Sequence, residues 1–200
     1  MKKNILYLHG FNSSPYSSKA EQARQYFQDN FPDINFICPQ LANSPTEVLL
    51  QLEHILKSDS LMGVNNSTWF LIGSSLGGYF SHYLANKYQL SAVLINPAIK
   101  PYSLLEHYIG EQINPYTNTV YQVTEQHMLD LKAIEQSAPM DSDEKKNNYL
   151  IMVQTGDEVL DYQQAVEKFK YSRLIIEQGG NHSFVGFDKK LPMIAEFFQL

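Results

Sequence analysis

Residues 70–80, FLIGSSLGGYF, compress a strand end, a tight turn and a helix start into one short stretch. At its centre the frame Gly73-Ser74-Ser75-Leu76-Gly77 fits G-x-S-x-G. Glycines two residues to either side of a serine let a strand turn sharply into a helix and leave the hydroxyl exposed. Ser75 fits the frame and Ser74 does not, because no glycine stands two residues before it. Alone, the pentapeptide is a weak signal, since a Gly-Ser-rich turn is more often plain connection than catalysis. The elements around it decide its meaning.

Residues 69–72 read as the strand entering the turn. The helix leaving it, 76–88, carries Leu76, Tyr79, Phe80, Tyr83 and Leu84 on one stripe. The same alternation runs through the chain, with further apolar strands at 4–8, 34–38, 92–95, 150–154 and 173–177. Helices are expected from Ser18 and from Ser44, where Ser18-Lys19-Ala20-Glu21 and Ser44-Pro45-Thr46-Glu47 have the spacing of a capping box. Two more are expected at 162–170, with Asp161 as N-cap, and at 191–200. Between 96 and 148 the alternation lapses: Pro97, Pro101 and Pro115 punctuate the segment, and helical patterns surface near 103–108 and 125–134. Nearly continuous apolar strands separated by helices imply a parallel sheet covered on both faces. Right-handed crossovers make such a sheet doubly wound, with ligands bound beyond the carboxyl ends of its strands.

A hydrophobic content of 44% over 200 residues can bury a substantial core, and the whole of 1–200 reads as one domain. The charge of −6 and pI near 5.5, with scattered basic residues, disfavour a nucleic-acid or anionic-membrane partner. Lys145-Lys146, the densest basic spot, lies in a mixed-charge segment, 141–148, that reads as a solvated loop. No run approaches membrane-spanning length, and the opening apolar run is too short for a signal peptide. The single cysteine, Cys38, forms no internal disulfide and reads as a small buried hydrophobe; a cytoplasmic location is expected.

Four strand-exit loops carry polar or glycine-rich signatures: HGFNSS, GSSLGG, TGDEVLDY and GGNHSF. A serine hydroxyl needs a base within hydrogen-bond reach, and a neutral imidazole suits that task. The imidazole needs a carboxylate to fix its tautomer. Ser75, Asp157 and His182 supply the three groups in the order nucleophile, acid, histidine. Each has a plainer reading, Asp157 as a turn cap and His182 as an ordinary loop histidine. Glu158 and Asp161 compete with Asp157, although Asp161 is better explained as a helix cap. Backbone N–H groups of Leu76 and Phe11 are the expected oxyanion donors, Gly10 letting the first loop approach closely. His9 is expected to brace that loop. His54 and His82 fall inside helices without a partner at metal-ligand spacing, so no metal site is expected; His107 and His127 lie in the excursion.

The stretches YLHGFNSSP at 7–15, IGSSLGGY at 72–79, INPA at 95–98, QTGDEVLDY at 154–162 and GGNHSF at 179–184 resemble an α/β-hydrolase, specifically the small bacterial YqiA-type esterases. The resemblance spans nearly the whole chain. It implies the α/β-hydrolase fold, hydrolysis of carboxylic esters with acyl-CoA thioesters as a further class, no cofactor, and Ser75, Asp157 and His182 as the catalytic residues. Two antiparallel strands that precede the His-Gly strand in larger relatives are absent, so six strands are expected, all parallel, in the order 2-1-3-4-5-6. Residues 96–148 occupy the place of a cap but are short, and Tyr102, Tyr108 and Tyr116 are expected to cover part of a shallow site. The partner is then a small-molecule ester or thioester. The same fold and triad also host C–C bond cleavage and elimination, and a non-catalytic binding protein on this fold is the third reading.

Overall fold

Along every central strand, successive side chains enter two different cores. The computed structural model describes residues 2–61, 67–137 and 148–200. In β1 (Lys2–Leu8), Leu6 and Leu8 join one core and Ile5 and Tyr7 the other, all four buried. The alternation recurs in β3 (Ser67–Ser74), β4 (Ser91–Ile95) and β7 (Tyr149–Gln154), where Leu71, Leu94 and Ile151 face the first core and Ile72, Val93 and Met152 the second. Strands buried on both faces need apolar residues at every position, hence their unbroken runs in the sequence. β2 (Ile34–Ile37) and β8 (Arg173–Glu177) form the edges of the sheet and are less buried. The order is β2-β1-β3-β4-β7-β8, and each neighbouring pair is parallel, matching the expected six-stranded arrangement.

The helices divide between the two faces. α1 (Ser18–Asn30) and α7 (Leu191–Phe197) bring Ala23, Phe27, Leu191 and Ile194 to the second core. α2 (Pro45–Leu61), α3 (Leu76–Tyr88) and α6 (Tyr162–Lys168) cover the first with Val48, Leu52, Phe80, Leu84 and Ala165. Burying one such large side chain contributes about 1.5–3 kcal/mol. α2 starts as its sequence predicts: the Glu47 N–H donates to Ser44 Oγ at 3.4 Å and the Ser44 hydroxyl donates back to the Glu47 carboxylate at 2.8 Å. α6 is capped by Asp161, whose carboxylate accepts from the Gln163 N–H at 2.9 Å. α1 departs from expectation. Its N-cap is Ser17, without a side-chain capping bond, and Glu21 pairs with Arg24 instead of reaching back. The last helix ends at Phe197, short of residue 200, with Gln199 in the left-handed region at φ 56°.

Between β4 and β7 stand α4 (Pro101–Leu105), a 3-10 turn at Glu106–Tyr108, and α5 (Glu125–Ser137). An antiparallel hairpin of β5 (Gly110–Ile113) and β6 (Val120–Val123) lies between them. The hairpin is absent from the sequence reading because its strands, GEQI and VYQV, are four residues each and lack the apolar runs of the main sheet. Val123, Leu131 and Ile134 dock this region on the first core. Residues 141–147 of the mixed-charge segment lie outside the described residues. No helix among the described residues is long and apolar enough to cross a membrane.

Candidate active site

β3 delivers Ser75 into a turn at φ 55°, ψ −120°. A non-glycine residue in such backbone costs about 1–3 kcal/mol and persists only where its surroundings over-determine it. Here the Ser75 N–H donates to the Ile95 carbonyl at 3.0 Å, and the Ser75 carbonyl accepts from the N–H groups of Gly78 at 2.9 Å and Ala98 at 3.1 Å. The flanking glycines are required by close approach. A Cβ on Gly73 would lie 2.3 Å from Ser81 Oγ, and one on Gly77 would lie 2.0 Å from the Leu8 carbonyl oxygen. Gly77→Ala must push α3 off β1 and is expected to cost about 1–3 kcal/mol, seen as a lowered Tm in thermal unfolding. An unchanged Tm would contradict this reading of the turn.

The Ser75 hydroxyl meets His182 Nε2 at 3.1 Å, and His182 Nδ1 meets the Asp157 carboxylate at 2.8 and 3.0 Å. Three strand-exit loops, after β3, β7 and β8, thus converge at the carboxyl end of the sheet. The Asp157 side chain is buried, 1% exposed, while that of His182 is 22% exposed. Burial pushes the Asp157 carboxyl up. Hydrogen bonds from His182 and from the Leu160 and Val159 N–H groups outweigh that and hold it below the ordinary carboxylate value. It is therefore ionised throughout the neutral range. A depressed carboxylate contributes stability above its unfolded pKa, near 4, and that contribution is lost as pH falls through the folded value.

The histidine loop is fixed from behind. Asn96, at φ 40°, donates from Nδ2 to the Asn181 and His182 carbonyls, both at 3.1 Å, and accepts the Gln154 N–H at 3.0 Å. Gln154, buried at the end of β7, accepts from the N–H groups of Asn181 and Val185 and donates to the Val185 carbonyl. Glu158 accepts the His182 N–H at 3.0 Å.

On the other side of Ser75, a Cβ placed on Gly10 would lie 3.7 Å from Ser75 Oγ, so the loop after β1 runs directly against the hydroxyl. His9 is buried beneath it. Its Nε2 accepts the Leu41 N–H at 3.2 Å, which leaves Nδ1 to donate to the Gly10 carbonyl at 2.9 Å. Burial lowers its pKa, the Gly10 carbonyl opposing, so it braces the loop as a neutral imidazole. The hairpin grips the same loop: Tyr121 donates its hydroxyl to Asn12 Oδ1 at 2.6 Å and Asn114 Nδ2 donates to the Ser13 carbonyl at 3.0 Å. Phe11 sits edge-on to Tyr108 and Tyr121, at 5.3 and 6.4 Å.

Two clefts share residues 9–13. A tight one of about 60 Å³ is mainly apolar, lined by Leu41, Val48, Leu76, Phe80, Leu105 and Val123 among others. The other, about 440 Å³, holds Ser75 and His182 together with Ser17, Ser18, Lys19 and Tyr116. Among the described residues, no group of three or more His, Cys, Asp or Glu side chains could hold a metal ion.

The model of the uncharacterised protein family UPF0227 matches residues 4–199. The chain belongs to UPF0227. The UPF0227 protein YcfP of Salmonella gallinarum is 24% identical over 196 residues, covering 96% of this chain and 97% of that protein. Among solved structures, the alpha/beta hydrolase domain-containing protein 10 from mouse superposes with a TM-score of 0.74 at 14% identity, covering 98% of this chain and 89% of that one. The esterase domain of a Rhodothermus marinus protein follows at 0.64 and 13% identity, with 98% and 84% covered. These likenesses identify the fold of this UPF0227 member as that of the α/β-hydrolases.

Other residues of the UPF0227 chain fall less uniformly. Tyr116 lines the polar cleft and Tyr108 packs on Phe11, whereas Tyr102 packs on the first core, with Lys132 over its ring at 5.1 Å. His127 lines the apolar cleft; His54 and His107 are exposed, and His82 packs between Tyr149 and Phe169. Cys38 is half-buried against the second core, and burial pushes its thiol up to about 12, Arg24 opposing, so it is held as the unreactive thiol. The parts that Lys19, Tyr121, Asn96 and Gln154 play at the site, and the backbone role of Glu158, leave no signature in the sequence.

Proposed function

We propose that this chain is a serine hydrolase that cleaves carboxylic esters, with acyl-CoA thioesters as a second class to be tested, through an acyl-enzyme. The observation that carries the reading is the unbroken hydrogen-bonded chain from Ser75 through His182 to the buried, ionised Asp157. Ser75 Oγ attacks the acyl carbon while His182 Nε2 takes its proton; Asp157 holds the tautomer in which Nδ1 carries hydrogen and stabilises the imidazolium. The oxyanion is received by the backbone N–H groups of Leu76, first residue of α3, and Phe11, on the loop pressed against Ser75. Each such donor is worth about 2.7–4 kcal/mol by mutational precedent. His182 then returns the proton to the leaving alkoxide or thiolate, the alcohol or thiol departs, and the imidazole activates water to release the acid. No cofactor enters these steps. The esterase name of the Rhodothermus marinus neighbour agrees with the reading.

A panel of 4-nitrophenyl esters and acyl-CoAs of graded length, run beside carbon-acid substrates, tests the reaction class. Turnover of esters is expected; turnover confined to carbon acids would overturn the proposal. Only a neutral imidazole can accept the Ser75 proton, and Asp157 is already ionised at mildly acidic pH. His182→Ala is therefore expected to remove ester turnover, and near-normal turnover by a folded His182→Ala protein would contradict the assignment of His182 as base.

A further inference from the structure

The larger cleft beside Ser75 contains a charge that the hydrolytic steps leave unused. Lys19, in the first turn of α1, lines this cleft together with Ser75 and His182, and no Asp or Glu side chain lines it. Its ammonium donates to the Ser183 carbonyl at 2.9 Å, one residue beyond His182, and none of the ion pairs among the described residues involves it. Glu21, the acidic residue of the same helical turn, is taken by Arg24. An ammonium with one neutral acceptor retains two N–H donors and a whole charge. The neighbouring lining groups Ser17, Ser18 and Asn12 are polar and neutral, so they can solvate an anion without cancelling the cation. Lys19 is also the single lysine or arginine on the wall, which suits a singly charged group better than a phosphate dianion. Across the shared loop at residues 9–13, the second cleft is tight and mainly apolar.

Resting on the proposed hydrolase reading, we infer that Lys19 is a specificity residue and that the substrates are esters carrying a carboxylate, bound in the cleft shared by Lys19 and Ser75. Burial lowers the Lys19 ammonium to about 8, with the Asp157 charge opposing, so it is mostly cationic at neutral pH. A carboxylate accepting from it gains a charge-assisted hydrogen bond in a partly dehydrated site. A neutral ester of the same shape lacks that bond and leaves the ammonium facing apolar substrate.

The test uses two matched pairs that differ by carboxylate against methyl. 4-Nitrophenyl hydrogen adipate against 4-nitrophenyl hexanoate puts the charge on the acyl side, and 3-acetoxybenzoate against 3-tolyl acetate puts it on the leaving group. In each pair the ratio of kcat/KM, charged over neutral, is measured for the wild type, Lys19→Met and Lys19→Arg. Any loss that a variant imposes on both esters cancels in the ratio. In at least one pair, Lys19→Met is expected to lower the ratio about tenfold or more, about 1.4 kcal/mol, and Lys19→Arg to restore most of it. The pair that responds identifies the side on which the carboxylate binds. Equal ratios in all three proteins, with ester turnover intact, would overturn this inference alone and leave Lys19 as a brace for the histidine loop. Absence of turnover of all four esters by the wild type would overturn the hydrolase reading and this one with it.

Discussion

Ser75→Ala is expected to remove ester turnover almost completely, with kcat falling by about 10⁶-fold, the scale seen when the serine of another hydrolase triad is deleted. In the proposed mechanism the hydroxyl oxygen forms the acyl-enzyme, and His182 Nε2 lies 3.1 Å away, within reach of its proton. The fold should survive the change. The bonds that hold the turn run from the backbone of Ser75 to Ile95, Gly78 and Ala98, and alanine keeps every one of them. A circular dichroism melt alongside the kinetics separates loss of chemistry from loss of structure. Near-normal turnover in a folded Ser75→Ala protein would end the serine-hydrolase reading.

Asp157→Asn is expected to lower kcat by about 10⁴-fold, following the effect of the same change in a serine protease triad. The geometry gives the reason. One carboxylate oxygen, Oδ1, accepts the N–H groups of Val159 and Leu160, both at 2.9 Å, while Oδ2 faces His182 Nδ1 at 2.8 Å. In asparagine the amide oxygen keeps the two backbone donors, so the NH₂ group is turned toward Nδ1. The imidazole must then accept at Nδ1 and carry its hydrogen on Nε2, where Ser75 needs a base. Turnover of 4-nitrophenyl butyrate by the variant checks this. A loss smaller than about tenfold would mean that the tautomer is set elsewhere, with Asn96 and Glu158, which hold the backbone at His182, as the groups to test next.

How much of this was legible in the sequence follows from which interactions are local. The six core strands could be read because burial on both faces demands apolar runs, as at Leu150, Ile151, Met152 and Val153. The turn at Ser75 could be read because its constraint is steric and local, with Gly73 and Gly77 lying where a Cβ would strike Ser81 or Leu8. Asp157 and His182 were legible through their places at strand exits. What stayed hidden rests on polar contacts between distant segments. Gln154 looks like the last residue of a strand, yet its side chain holds Asn181 and Val185. Asn96 lies within the INPA stretch, but only the fold brings its amide to the carbonyls at Asn181 and His182. Tyr121 reaches Asn12 from a hairpin whose pairing is too short and too polar to leave a pattern. Lys19 stands second in a capping-box pattern, and neither that pattern nor the N-cap at Ser17 hints that its side chain lines the cleft with Ser75.

The central claim is that Ser75 is an activated nucleophile, and covalent labelling tests it most directly. The purified protein would be treated with a fluorophosphonate probe at neutral pH and analysed by intact mass and peptide mapping. The expected result is one adduct per chain on Ser75, lost in Ser75→Ala and strongly slowed in Asp157→Asn. An absent adduct, or one formed equally well by the Ser75→Ala protein, would contradict the account.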